Sequence, residues 1–570
     1  MRPASSKTPS AATSGRGRME HPADIPPPVP RGPGGFFVNF KNFGINLGIL
    51  TLGGLIFSLA FPSLLSRGGW WPLAYIALVP VFYVASRASW KTIALYGAFY
   101  GFICYAIFNY WLLTFHPLAI FIVPMIYLTY FLICFPFLRL AAALFPRHGY
   151  IVQVFIWISY EILRTKGFAG YSYGIIGYSQ YLFSPLLQIA EITGVWGLSF
   201  LVVFPSAYLA AALPRSRGEG LPHIKAIKAI KAFFQRHRAG AFVYAGVFAV
   251  VCVYGFFAPR DLEESREWKV ALVQHNIDPW EGGVRAYRDN LNRLVAQSEK
   301  ALKEEPDIVA WSETAFVPGI DWHTRYRRDQ EIYTLVDELR RFLSAQNVPF
   351  IFGNDDGQLE RDRYGALRRV DYNAAILFDG GRIAGTYRKT HLVPFTEHFP
   401  YERTLAFFYK MLKEANTHFW EKGTDYVVFE AAGVKFSTPI CFEDSFGYIS
   451  RRFVQEGAQV ILNITNDSWS GSVASEMQHL QMSVLRAVEN RRSVARATNG
   501  GITAVIDPNG KILQMYEPFT EGYLMGKVPV YDSGATLYTR FGDWFAWLCL
   551  ILAVGALTAG LLFKILRRKS

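Results

Sequence analysis

Long apolar runs separated by short polar loops fill the chain from about residue 44 to 258, and one more closes it. The runs near 44–64, 71–86, 92–114, 117–143, 149–165, 187–213 and 240–258, with the last near 544–565, predict eight membrane-spanning helices. A span needs about 20 apolar residues, so the 71–86 and 149–165 runs are short for the task. The pattern changes over residues 268–530. Lys269–Asn276, Asp307–Trp311, Phe350–Gly353, Ala374–Phe378, Val434–Ile440 and Val460–Thr465 are β-rich, and amphipathic helical patterns lie at 286–303, 327–345, 447–456 and 474–491. That alternation predicts an α/β domain around a buried sheet. Residues 1–43 are rich in Pro, Gly and Ser and predict a disordered tail. No apolar stretch follows a short basic start there, so no cleaved signal peptide is expected, and Met19 is an alternative first residue. The chain thus divides into a tail (1–43), a seven-span bundle (44–258), a folded domain (259–543), and an eighth span with a basic end (544–570).

Composition sharpens this picture. Hydrophobic residues make up 51% of the chain and charged ones 18%, with a net charge of +13. Such a charge often marks nucleic-acid binding, but here its placement follows membrane topology. Arg87 and Lys91 follow the second run and Arg147 the fourth. Arg215, Arg217, Lys225, Lys228, Lys231, Arg236 and Arg238 follow the sixth, and Arg567, Arg568 and Lys569 end the chain. With a cytoplasmic N-terminus, all of these fall on the cytoplasmic side and residues 259–543 fall outside. No nucleic acid is expected as a partner. The Ile-Lys-Ala repeats at 224–232 read first as a topology signal and second as a site for anionic lipid.

Three polar segments follow strand-like runs: Trp311-Ser-Glu313, Tyr387-Arg-Lys389-Thr-His391, and Ile440-Cys441-Phe-Glu443-Asp444. Strand ends are where α/β folds place their sites. Together they offer a thiol, a carboxylate to take its proton, and an ammonium to stabilise an oxyanion. Of the five cysteines, Cys104, Cys134, Cys252 and Cys549 lie in apolar runs, where the residue is usually a small hydrophobe. Cys441 has no soluble partner for a disulfide, which favours a reactive role over an inert buried thiol. His391 and His398 lack a third ligand-spaced group and there is no HExxH motif, so no metal is expected. With no P-loop and no dinucleotide fingerprint, no cofactor is expected either.

In this chain order the three segments resemble the carbon–nitrogen hydrolase (nitrilase) superfamily, whose site is a Glu-Lys-Cys triad on an αββα sandwich. The likeness extends to Asn463-Ile-Thr-Asn466-Asp467-Ser-Trp469 and Arg496-Ala-Thr-Asn499-Gly500-Gly501. With spans on both sides, residues 45–565 resemble the apolipoprotein N-acyltransferase family, also at Glu161-Ile-Leu-Arg164, Gly177-Tyr-Ser-Gln180, Gly194-Val-Trp and Gln274-His-Asn276. The resemblance implies Glu313 as base, Lys389 as oxyanion stabiliser and Cys441 as nucleophile. It implies supporting roles for Glu397 and Glu443 and a substrate-side role for Trp280. The implied substrates are a membrane phospholipid as acyl donor and a diacylglyceryl apolipoprotein as acceptor. The implied setting is a monomer in the bacterial inner membrane, its catalytic domain facing the periplasm. Thr396, Phe442, His275 and Phe168-Ala-Gly depart from the family pattern, which bears on loop geometry and not on the triad. A membrane-tethered nitrilase-like amidase and a non-catalytic scaffold are the alternatives.

Overall fold

A computed structural model describes residues 40–569 except 116–118, 215–222, Glu264, Trp280, 362–364, 415–417 and Ser533. The first 39 residues of the expected tail, together with Arg215, Arg217 and Trp280, therefore lie outside the described residues. Among the described residues, five helices are long and apolar enough to cross a membrane: Phe40–Leu59, Ile120–Leu144, Val195–Ala212, Ile230–Phe257 and Trp544–Arg567. Three shorter apolar helices, Trp71–Arg87, Ile93–Phe108 and Gly149–Leu163, coincide with three of the predicted spans. Two boundaries differ from expectation. The run at 187–213 is broken at Gly194, whose φ of 64° ends one short helix before Val195–Ala212 begins. The Ile-Lys-Ala repeats do not form a separate element. They open a single helix, His223–Phe257, that continues into the apolar run.

Burial sorts these helices by position. Most of Val195–Ala212 is buried at the centre of the bundle, whereas only 6% of the apolar window of Ile230–Phe257 is buried. Phe242, Val250, Phe256 and Phe257 stand exposed along the latter. A continuous apolar face of that kind needs a lipid or protein cover. The helices Ile93–Phe108 and Ala119–Leu144 approach so closely that a Cβ at Gly97 or Gly101 would collide with the carbonyls of Phe131 and Tyr127. Small residues at the contact are how helices pack without a hydrophobic driving force.

Among its described residues the folded domain holds twelve strands: β1 Arg266–Gln274, β2 Ile308–Ala310, β3 Phe350–Arg361, β4 Leu367–Asp379, β5 Arg382–Arg388, β6 Val428–Ala431, β7 Val434–Ser437, β8 Val460–Thr465, β9 Ser493–Thr498, β10 Ala504–Ile506, β11 Ile512–Met515 and β12 Gly522–Val530. They form two six-stranded sheets, β12-β1-β2-β3-β4-β5 and β11-β10-β9-β8-β7-β6. Each sheet has two parallel pairings at its centre, β1/β2/β3 in one and β7/β8/β9 in the other. Antiparallel strands flank both centres. The sheets face each other where Trp268 of β1 packs on Phe436 of β7, with ring centroids 5.2 Å apart. On the outer side of the first sheet, Leu291 and Leu294 of the helix Val284–Leu302 and Leu335, Val336 and Leu339 of Gln330–Ser344 share a core with Val309, Phe350 and Phe352.

The helix Val473–Asn490 covers the second sheet and is buried along its whole length from Ala474. Its other side is covered by the apolar bundle. Gln478 donates to the Pro62 carbonyl (2.9 Å) and accepts from the Trp111 indole (3.1 Å). Glu489 accepts from the Val195 amide (3.1 Å). Just past the helix, Arg491 reaches Glu191 (2.7 Å) and Gln188 (2.8 Å). These contacts are buried, and those of Arg491 are charge-assisted, so the domain is fixed to the bundle and not merely tethered to it. Removing one partner of such a pair strands a buried charge and typically costs about 3–5 kcal/mol. Glu191 also pairs with Arg260 (3.1 Å), so it is not left alone when Arg491 is lost, and Arg491→Leu is expected to lower stability by about 1–3 kcal/mol, seen in thermal unfolding of the detergent-solubilised protein. A variant as stable as the parent would show that this contact does not hold the two parts together.

Candidate active site

Glu313, Lys389 and Cys441 follow the C-terminal ends of β2, β5 and β7, so the two sheets together build the site. Glu313 can reach its place because β3 presents Gly353 beside it. A Cβ there would lie 2.7 Å from Glu313 Cα. Lys389 is fully buried, and its ammonium lies 2.9 Å from Glu313 Oε1 and 2.8 Å from Glu397 Oε1. Asn373 of β4 donates to Glu313 Oε1 (2.8 Å) and the Asn466 amide to Glu313 Oε2 (3.1 Å). The Val393 amide donates to Glu397 Oε2 (2.8 Å). Four of the residues singled out from the sequence thus share one buried cluster. Trp280 lies outside the described residues.

Cys441 begins a 3-10 turn, Cys441–Ser445, with a φ of 52°. Thr314, next to Glu313, and Phe395, near Glu397, also have positive φ, at 48° and 68°. Left-handed backbone at a residue with a side chain costs about 1–3 kcal/mol and persists only where surrounding contacts enforce it. Such contacts are present. Asn463 of β8 donates to the carbonyls of Pro439 (3.0 Å) and Cys441 (3.3 Å). Glu443 does not touch the thiol or the ammonium. It accepts from the Ile440 amide (2.8 Å), the Thr390 amide and hydroxyl (2.7 and 2.8 Å), the His391 amide (3.0 Å) and the Tyr387 hydroxyl (2.8 Å). One carboxylate therefore clamps the cysteine turn to the segment that carries Lys389. His391 has a structural place, its Nδ1 2.9 Å from the Tyr448 hydroxyl and its ring on Phe446.

The electrostatics assign protons. Burial pushes the Cys441 thiol well above its ordinary pKa, Glu313 raises it further, and Lys389 opposes them. The thiol is therefore protonated at rest and needs a base when it reacts. Burial alone would lower the Lys389 pKa, but Glu313 and Glu397 outweigh it and hold the ammonium well above its usual range. Lys389 is thus a fixed cation and cannot be that base. Burial raises the Glu397 carboxyl, with Lys389 pulling the other way. Of the two glutamates, Glu313 has the stronger influence on the thiol.

Sequence reading missed Asn373, which the buried interior of β4 disguises, and it assigned no role to Asn463 or Asn466 although both lie in the quoted segments. An amide side chain directly before the apolar run Ala374–Phe378 was the available signal for Asn373.

A thiol, a fixed cation and two carboxylates are thus gathered near the ends of strands from paired sheets. The Carbon-nitrogen hydrolase family model matches residues 269–538, and the Apolipoprotein N-acyltransferase N-terminal domain model matches residues 53–208. Over 544 residues the chain is 44% identical to Apolipoprotein N-acyltransferase 1 of Treponema denticola, spanning 93% of this chain and 98% of that one. It is 41% identical over 514 residues to Apolipoprotein N-acyltransferase 1 of Treponema pallidum, spanning 89% and 93%. To the Apolipoprotein N-acyltransferase of Geobacter metallireducens it is 31% identical over 541 residues. The chain belongs to the apolipoprotein N-acyltransferase family.

Removing Glu443 would leave the amides of Ile440, Thr390 and His391 without their partner, with the Tyr387 and Thr390 hydroxyls able to pair with each other (3.3 Å), and each unpaired donor costs about 1–3 kcal/mol. Glu443→Ala is expected to lower stability by about 3 kcal/mol or more, whereas Cys441→Ala should stay within about 1 kcal/mol of the parent. Thermal unfolding of both variants checks this. Equal stability would mean that Glu443 is not the clamp described.

Proposed function

We propose that this protein transfers an acyl chain from a membrane phospholipid, through a thioester on Cys441, to the N-terminal α-amine of a diacylglyceryl-modified apolipoprotein. The reading rests on the buried Cys441–Glu313–Lys389–Glu397 cluster and on relatives named for this transfer. Glu313 takes the thiol proton, and the thiolate attacks the ester carbonyl. Two of the three Lys389 N–H bonds are committed to Glu313 and Glu397, which leaves the third for the developing oxyanion. The tetrahedral intermediate collapses with loss of a lysophospholipid, whose alkoxide takes the proton from Glu313. In the second half the acceptor amine attacks the thioester, gives a proton to Glu313, and leaves as an amide. Glu313 then reprotonates the cysteine. Glu397 keeps Lys389 charged and in place, Glu443 holds the turn, and the family resemblance assigns Trp280 to substrate binding.

The membrane part suits two bilayer-anchored substrates. All eight apolar helical segments cross a bacterial inner membrane, with both termini in the cytoplasm and residues 259–543 as the periplasmic catalytic domain. The bundle spans 44–258, the last span and basic end occupy 544–570, and the protein acts as a monomer. An amide in place of the phospholipid ester as donor, with water in place of the amine as acceptor, would make the same site a membrane-tethered amidase, the reading that the relatives disfavour.

Cys441→Ala is expected to abolish acylation of a diacylglyceryl lipopeptide while the protein remains folded. Product analysis separates the alternatives: an N-acylated peptide supports the transferase, and free fatty acid as the sole product would sink it. For topology, reporter fusions after Arg217 and after Gly357 should report opposite compartments. The same compartment for both would mean that a span has been miscounted.

A further inference from the structure

The cysteine turn carries a second buried acid that the proposed chemistry does not use. Asp444 follows Glu443 and has no exposed surface. Its Oδ1 lies 2.6 Å from His479 Nε2, and its Oδ2 accepts from Ser483 Oγ and from Arg496 Nη1, each at 2.5 Å. The opposite nitrogen of His479, Nδ1, lies 3.0 Å from Asp467 Oδ1, and Asp467 Oδ2 accepts from Arg496 Nη2 at 3.1 Å. The Thr465 hydroxyl donates to Asp467 Oδ1 at 3.0 Å. Asp444, His479, Asp467 and Arg496 therefore form a closed ring of charges from the cysteine turn, the helix Val473–Asn490, the end of β8 and β9.

Geometry fixes the charge state of the ring. Each nitrogen of His479 meets a carboxylate oxygen, and a neutral imidazole can donate from only one. His479 is therefore an imidazolium. Burial works against that form, but Asp444 and Asp467 outweigh it and bring the pKa to about 9. Two anions and two cations leave the ring neutral, which is the condition for burying ions in well-formed hydrogen bonds. The adjacent Glu476 accepts from Ser470 Oγ at 2.5 Å and is pushed well above the carboxylate range by burial and by Asp467, so it adds no further negative charge.

We propose that this ring, acting through Asp444, positions the Cys441 thiol for attack. Glu443 holds the strained turn on the side of the Lys389 segment, and Asp444 holds it on the side of the helix Val473–Asn490. Neither carboxylate touches the reacting atoms. The ring also meets the apolar bundle, because the Tyr173 ring lies 6.2 Å from that of His479. Loosening the Asp444 anchor leaves substrate binding intact and displaces the sulfur. A displacement of about 1 Å can cost about 10²-fold in rate.

The inference rests on Cys441 being the nucleophile, and the experiment keeps the two ideas separable. Single-turnover thioester formation is measured by intact mass with phospholipid vesicles and no acceptor, at several lipid concentrations, alongside thermal unfolding. For Asp444→Asn, thioester formation is expected to slow by about 10²-fold with an unchanged half-saturating lipid concentration. Ser483→Ala removes a charge-assisted hydrogen bond to Asp444 and the one that Ser483 accepts from Arg496. It is expected to remain folded and to slow the step about 2–10-fold. Should Asp444→Asn fail to fold, Ser483→Ala decides alone. Parental rates in the folded variants, or a loss confined to half-saturation, would overturn the positioning role. Absence of any thioester in the parent protein would instead overturn the nucleophile assignment.

Discussion

A lysine ammonium with no exposed surface cannot stay charged by itself, and the candidate site is organised around this constraint. Lys389 lies between Glu313 and Glu397 at 2.9 and 2.8 Å. Removing either carboxylate from a buried ion cluster typically costs about 3–5 kcal/mol, so the three groups stand or fall together. Moving the thiol proton to Glu313 leaves the total charge of the cluster unchanged, so the proposed activation needs no new charge to be buried. The later shift of charge from sulfur to a carbonyl oxygen takes place beside the same fixed cation. Electrostatic stabilisation of this kind is effective because the dipoles and charges are in place before the reaction.

The second constraint is position. Both proposed substrates are anchored in a bilayer, so a site that swung freely on a linker would meet them rarely. Here the helix Val473–Asn490 is locked on one side to the second sheet and on the other to the apolar helices, through Gln478, Glu489 and, just beyond its end, Arg491. That same helix supplies His479 and Ser483 to the ring around Asp444. One helix thus bears both on where the domain sits and on how its cysteine turn is held.

Much of this was readable in the sequence. The strand Val460–Thr465 and the helix near 474–491 appear as their periodicity predicts. β9 was not legible. It follows that helix across Arg491, which has a φ of 50°, and it carries Arg496, a charge that argues against a central strand until its buried partners Asp444 and Asp467 are seen. β12 was hidden by Gly526 and Pro529 and by its pairing with β1, a strand from the far end of the domain. Lys389, Glu313 and Cys441 were legible only as a joint pattern, since each alone is an ordinary residue after a strand. The role of Asp444 was not legible at all, because its partners lie 35 to 52 residues away and only folding brings them into one ring. The break at Gly194 and the continuous helix from His223 show the limit of hydropathy. It finds apolar mass but not the points at which the backbone turns.

The central claim is that Cys441 alternates between a lipid ester and a lipid-bearing amine. Peptide mapping by mass spectrometry of the purified protein, first with phospholipid alone and then after a diacylglyceryl lipopeptide is added, tests it most directly. The account predicts one acyl adduct on the Cys441 peptide, labile to hydroxylamine, that disappears on addition of the lipopeptide as the N-acylated product forms. An adduct on any other residue, or acylated lipopeptide formed with no adduct on Cys441 at any time, would contradict it.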